Sequence, residues 1–152
     1  MNLEGLGLVG VFLAGAIPWM EAIAVVPSGI VIGLDPTAVV LAATLGNAIT
    51  IFLFAYLSSH IRQLISNRRI AKGKSSESPK FIKAKDAFNK YGIFGMALLG
   101  PILIGTQFAA AASVAAGVRP IRAATIITLS MTLWAILIAV VMVVTGINLD
   151  LI

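Results

Sequence analysis

Few residues in this chain have side chains suited to chemistry, and their surroundings make them stand out. Glu21 is the one acid inside the long apolar stretches, three residues past the proline in Ile17-Pro18-Trp19-Met20-Glu21. Asn47 lies midway along a second apolar stretch, and Thr106 and Gln107 follow Gly100-Pro101-Ile102-Leu103-Ile104-Gly105 in a third. A carboxylate near the centre of a bilayer costs about 2.5–3.5 kcal/mol, so an acid kept there usually faces a cavity and has a function. Desolvation favours its neutral form, which suits Glu21 to carrying a proton or holding a cation. The structural alternative is a cap, because a glutamate at a helix N-terminus suits the dipole and accepts free N–H groups. Gln107 donates and accepts at once, so it can orient a substrate, hold Glu21, or serve carbonyls released by Pro101. Asn47 suits a cavity wall or an interhelical hydrogen bond, the latter contributing only about 0.6 kcal/mol on average.

Other chemistries lack their parts. The chain has no cysteine, which excludes disulfides, thiol nucleophiles and Cys-based metal sites. His60 is the only histidine and reads as an interface residue near Arg62, so no metal or other cofactor is expected. Ser28 has neither a Gly-x-Ser-Gly context nor a histidine partner, and one buried acid is too few for an intramembrane enzyme.

The elements that hold these residues follow from where the charges fall. Of 152 residues 59% are apolar and 11% charged, whereas a soluble domain carries about 25% charged residues. Residues 62–90 carry nine Lys/Arg against Glu77 and Asp86. A basic stretch between apolar segments is a topology signal rather than a nucleic-acid site. The bilayer is therefore the solvent, and the plan is an all-α integral membrane protein.

Residues 36–60 and 121–147 each read as one spanning helix, opened by Pro36 and Pro120. Residues 5–34 and 91–118 are broken in the middle, the first by Pro18, Trp19 and Pro27, the second by Gly100, Pro101 and Gly105. Their half-segments reach only about 20 Å against a hydrocarbon core of about 30 Å. They are expected to be Pro-broken re-entrant helical hairpins. With 62–90 cytoplasmic by the positive-inside rule, re-entrant hairpins bring Arg119 and Arg122 to the same side as every other Lys/Arg. Glu4, Asp35, Asp150 and both termini then lie outside. Four plain spans, the alternative, would strand Arg119 and Arg122 outside.

The halves resemble each other. Gly33-Leu34-Asp35-Pro36 opens one span and Gly117-Val118-Arg119-Pro120 the other, with Pro18 and Pro101 lying 15 and 16 residues before the respective corner glycines. The expectation is one membrane domain over 1–152, with repeat 1 at 4–61, a basic cytoplasmic loop with a short amphipathic helix at 62–90, and repeat 2 at 91–149. One span separates the repeats, so they are inverted, a transporter signature with substrate and ion meeting at broken helices. Facing hairpin tips would bring Glu21, Thr106 and Gln107 into one pocket. Small-residue rows (Ala38, Ala42, Gly46, Thr50 and Ala109, Ser113, Gly117) mark helix contacts, within the fold or across a homodimer. Residues 71–80 read as flexible. Lys80, Lys83, Lys85 and Lys90 opposite Phe81, Ala84 and Phe88 suit the anionic inner leaflet of the lipid bilayer.

Ile17-Pro18-Trp19-Met20-Glu21, Pro27-Ser28-Gly29-Ile30, Gly33-Leu34-Asp35-Pro36, Gly46-Asn47, Lys90-Tyr91-Gly92-Ile93-Phe94-Gly95 and Gly100-Pro101-Ile102-Leu103-Ile104-Gly105 together resemble the small multidrug export family of bacterial and archaeal membrane proteins. That family is similar in plan to DedA-type (VTT-domain) proteins, which carry paired re-entrant hairpins and include lipid-carrier flippases. The resemblance implies a multi-pass protein of a prokaryotic plasma membrane. DedA-type proteins generally have an arginine near the second hairpin's proline. Pro101 to Gln107 contains no cation, which argues against direct phosphate recognition. The expected function is a small secondary transporter that exports or flips an amphipathic or lipid-like substrate, coupled to H+ through Glu21. The alternatives are a four-span multidrug exporter and a non-transporting membrane scaffold or assembly factor.

Overall fold

The structure, a computed structural model, describes residues 3–146 apart from Trp19 and Ser78. Those residues form six helices: α1 (Leu3–Ala16), α2 (Ala22–Val31), α3 (Pro36–Ala71), α4 (Pro79–Leu103), α5 (Thr106–Ala115) and α6 (Pro120–Thr145). Two are long and apolar enough to cross a bilayer, α3 over the 23 residues Pro36–Ser58 and α6 over all 26 of its own. At about 1.5 Å per residue these reach about 34 and 39 Å. Their outward faces are apolar: Leu41, Leu45, Ile49 and Leu53 on α3, and Leu129, Leu133 and Leu137 on α6, are all exposed. An apolar surface that continuous belongs in hydrocarbon.

The remaining helices are short. α1 has 14 residues and α2 has 10, about 21 and 15 Å. α4 is interrupted at Gly92 (φ 65°, ψ −169°), which separates its Lys-rich first part from the apolar Ile93–Leu103. α5 has 10 residues. A four-span bundle would need four bilayer-length apolar helices, and the described residues contain two.

Local chemistry explains the boundaries. Pro18 has no N–H to donate and clashes with a preceding turn, so α1 stops at Ala16 and α2 resumes after Glu21. Pro27, expected to be part of a break, instead lies inside α2, where neighbouring Val25, Val26 and Ile30 are buried and packing holds the helix together. Pro101 likewise lies inside α4. The second break falls at Ile104-Gly105, where Gly105 has φ 95°, a value open to glycine alone at little cost.

Both Gly-x-x-Pro corners are built alike. Gly33 N–H donates to Ile30 O (2.9 Å) and Leu34 N–H to Gly29 O (3.2 Å); Gly117 N–H donates to Val114 O and Val118 N–H to Ser113 O, both 3.0 Å. This pattern is the Schellman end of a helix, and Gly33 (φ 87°) and Gly117 (φ 102°) take the left-handed position it requires. The C-terminus of α3 repeats it at Gly73. There the helix runs on to Ala71 rather than ending near 60, so part of the basic stretch is helical. The following segment is organised too: Arg69 Nε donates to Ser75 O (2.8 Å), and Ser75 Oγ donates to Glu77 O (3.2 Å).

The chain divides into two compact units, Met1–Thr50 with Thr128–Ile152, and Ile51–Ile127. In the first, α1 and α2 lie antiparallel, because Gly7 abuts Leu34 and Gly29 abuts Val11. α1 also crosses α3 with backbone on backbone. A Cβ at Gly15 would meet Ala43 O, and one at Gly46 would meet Phe12 O and Ala16 N. Val26, Val39, Ala43, Met131 and Ala135 fill this unit's core. In the second unit α4 packs against α5, with Gly100 against Ala109, over a core of Ile51, Met96, Ala110, Ala124 and Ile127.

Candidate functional site

In the first unit the break between α1 and α2 carries the acid. Glu21 is the N-cap residue of α2, with extended backbone (φ −69°, ψ 157°), and its side chain makes no capping hydrogen bond. Its carbonyl does the local work instead, accepting from Ala24 N–H (2.8 Å) and Val25 N–H (3.0 Å). The side chain is nonetheless 7% exposed. Its carboxylate therefore does not supply the hydrogen-bonded part of the cap that the sequence left open to it.

Asn47 on α3 is fully buried. It directly follows Gly46, which touches Ala16, the last residue of α1, so Asn47 stands at the level where the chain leaves helix. Thr44 and Thr50, three residues to either side, are also buried. Their hydroxyls turn back on their own helix, Thr44 Oγ1 to Val40 O (2.6 Å) and Thr50 Oγ1 to Asn47 O (2.9 Å). Buried hydroxyls in a helix usually find such i−4 or i−3 carbonyls. On α6, Thr132 donates to Thr128 O (2.9 Å).

The second unit holds Thr106 and Gln107, the first two residues of α5, with Gly105 as N-cap. Both are buried, at 0% and 1% exposure. Gly100 O accepts from Ile104 N–H (3.0 Å) and Gly105 N–H (2.8 Å), which closes the turn. Phe108 meets Phe54 of α3 edge to face, with ring centroids 6.1 Å apart. Ser113 is fully buried and donates to Ala109 O (2.7 Å).

Of the residues expected to serve substrate or proton, Glu21 and Asn47 thus belong to one unit and Thr106 and Gln107 to the other. Pro18 and Gly105 lie in the breaks, Gly100, Pro101 and Pro27 lie in helices, and Trp19 is outside the described residues. Gly33, Asp35 and Gly117, Arg119 form the corners before Pro36 and Pro120. Thr44, Ser58 and Ser113 are buried polar residues that the sequence did not single out for chemistry. For Thr44 the signal was its spacing of three from Asn47. Among the described residues no group of three His, Asp or Glu is placed to hold a metal ion.

A family profile described as "Putative small multi-drug export protein" matches residues 21–138. No curated protein and no solved structure matches the chain. The matched span covers more than three quarters of the sequence and includes Glu21, Asn47, Thr106 and Gln107. With its two bilayer-length apolar helices, the chain belongs to the small multi-drug export family of membrane proteins.

Proposed function

We propose that the protein is a proton-coupled secondary transporter that exports or flips an amphipathic, lipid-like compound, with Glu21 as the proton carrier. The observation that carries this reading is the burial of Glu21 at a helix break. An acid is costly in such a place, and helix caps are supplied more cheaply by Ser, Thr, Asn or Asp. To Asn47, Thr106 and Gln107, buried polar residues of the two units, this reading assigns the substrate path. The test is transport by the protein reconstituted in vesicles under an imposed pH gradient, across a panel of lipids and amphipathic drugs. Wild type should transport a member of the panel in proportion to the gradient, and Glu21→Gln should not. A fully active Gln variant refutes the proton role.

In this reading the short paired helices are re-entrant hairpins of an inverted repeat, and all 11 Lys/Arg face the cytoplasm of a prokaryotic cell. The short arms of α1 and α2 support it, and so do the matching corners. Labelling a cysteine at position 119 from the outside of intact cells would refute it. Exposed Lys83, Lys85 and Lys90 on α4 suit contact with an anionic leaflet, where each contributes about 1 kcal/mol.

A further inference from the structure

The first unit contains a recess whose lining does not include Glu21. The start of α3 and the end of α6 enclose an apolar groove of about 520 Å³. Val40 and Ala139 are its buried lining, Val143 and Val144 its exposed lining, and Pro36 and Thr37 line it at the start of α3. Small-molecule sites occupy about 300–1,000 Å³, so the recess matches a single ligand better than the flat seam between two helices. Both walls belong to bilayer-length helices, so its contents exchange with hydrocarbon.

The charge at its end selects among amphiphiles. Asp35 immediately precedes Pro36 and is exposed, its Oδ2 accepting from Ala38 N–H (2.8 Å). The nearest cation along α6 is Arg122, 14 residues before Ile136, about 21 Å down the helix. Among the described residues, an anionic phosphate headgroup would find an acid beside the groove and no base in its lining. We infer that this groove binds a single-chain cationic amphiphile, its alkyl tail between α3 and α6 and its ammonium beside Asp35. This rests on the exporter reading for the compound's being a substrate, but its occupancy can be measured without transport.

The test is photo-crosslinking in phosphatidylcholine nanodiscs with a diazirine-bearing dodecylammonium, with dodecyl sulfate as anionic competitor. Saturable labelling is expected within 36–41 and 136–144. Ala139→Trp, or Val143→Trp in the exposed lining should the first not fold, should weaken it at least about tenfold, as expected for a ligand pocket filled by an indole. Leu133→Trp, on an exposed face of the same helix, should leave it unchanged. Asp35→Asn keeps the helix cap and removes the charge, so it should weaken labelling about two- to fivefold, the scale of an exposed ion pair. Labelling that survives both groove-filling variants overturns the site. Competition by dodecyl sulfate equal to that by unlabelled amine overturns the headgroup assignment. Displacement by phosphatidylethanolamine alone, or cross-links between copies at these residues, gives the groove to a membrane lipid or to a second copy and overturns the inference. Labelling as expected in a protein that transports nothing leaves the groove standing and removes the exporter reading instead.

Discussion

In the first unit the chain leaves helix between Ala16 and Ala22, and the residue that re-enters it is Glu21. In the second unit only Ile104 and Gly105 separate α4 from α5. The first break is made by a proline and the second by a glycine, and the difference decides where polar groups can stand. A proline break leaves the N-cap position free to carry a side chain, and here it carries a carboxylate. A glycine at the N-cap has no side chain, so the polar groups of the second unit move inside the helix, to Thr106 and Gln107. One unit thus offers an ionisable group at its break, and the other offers only neutral donors and acceptors.

Breaking that asymmetry gives the largest expected effect. Glu21→Gln should reduce gradient-driven transport in vesicles to the protein-free background. Gln107→Ala removes a group that cannot carry a proton and should slow transport without abolishing its dependence on the gradient. Equal loss of gradient dependence in both variants would make the two breaks functionally equivalent and remove the distinction.

The next effect concerns packing. A Cβ at Gly46 meets the backbone of α1 itself, whereas one at Gly100 lies 2.7 Å from the Ala109 methyl, a smaller overlap but with an atom fixed to the backbone of buried α5. Gly→Ala gains about 1 kcal/mol in helix propensity, and overpacking costs about 1–3 kcal/mol or more. Gly46→Ala should therefore lower stability by about 2 kcal/mol, and Gly100→Ala by less, about 1 kcal/mol. Thermal unfolding of both variants in detergent decides it.

The two units also differ in how far the sequence reveals them. Gly33-Leu34-Asp35-Pro36 and Gly117-Val118-Arg119-Pro120 were legible as corners because a left-handed glycine followed by a proline at the first helical position leaves few other conformations. Pro18 marked its break because a proline has no N–H to donate and clashes with the preceding turn. Pro101 misled, since a proline near a helix end sacrifices one hydrogen bond that packing can offset; of the residues named for the second break, Gly105 is the one at which the helix ends, with φ 95°. The length of α3 was hidden because apolar periodicity stops near Ser58 while the helix continues through polar residues. Arg69 was hidden too, because its contacts with Ser75 depend on the turn at Gly73. For Glu21 the sequence showed that it is the one acid in the apolar stretches, but only the structure shows it buried and without a side-chain cap hydrogen bond.

A smaller test asks whether the corners are as alike energetically as they are geometrically. Neither Gly33 nor Gly117 has an atom within 4 Å of an added Cβ, so an alanine there meets backbone strain alone. That strain is about 1–2 kcal/mol per left-handed residue. Gly33→Ala and Gly117→Ala should lower the unfolding temperature by the same amount. A clear inequality would show that one corner has partners the other lacks.

The smallest effect is the most informative about topology, because there the corners part company. Asp35 N-caps α3 through its bond to Ala38 N–H, and Val39 N–H donates to Asp35 O; at the other corner Ala123 N–H donates to Arg119 O. Arg119 therefore occupies the N-cap of α6, where its side chain can accept nothing and its charge opposes the helix dipole. Local physics favours an acid at that position, and the chain places a base. Arg119→Asp should raise stability in detergent by about 0.5–1 kcal/mol through the restored cap, while Asp35→Ala should lower it by about 1 kcal/mol. If Arg119 is kept to hold the corner at the cytoplasmic face, the variant stabilised in detergent should insert less uniformly in cells, with a fraction of molecules exposing this corner outside. Labelling an engineered cysteine at Val118 from the cell exterior, with and without Arg119→Asp, separates the outcomes. Stabilisation with unchanged orientation would leave the misplaced arginine without a topological role, and with it the strongest charge argument for a hairpin rather than a span before α6.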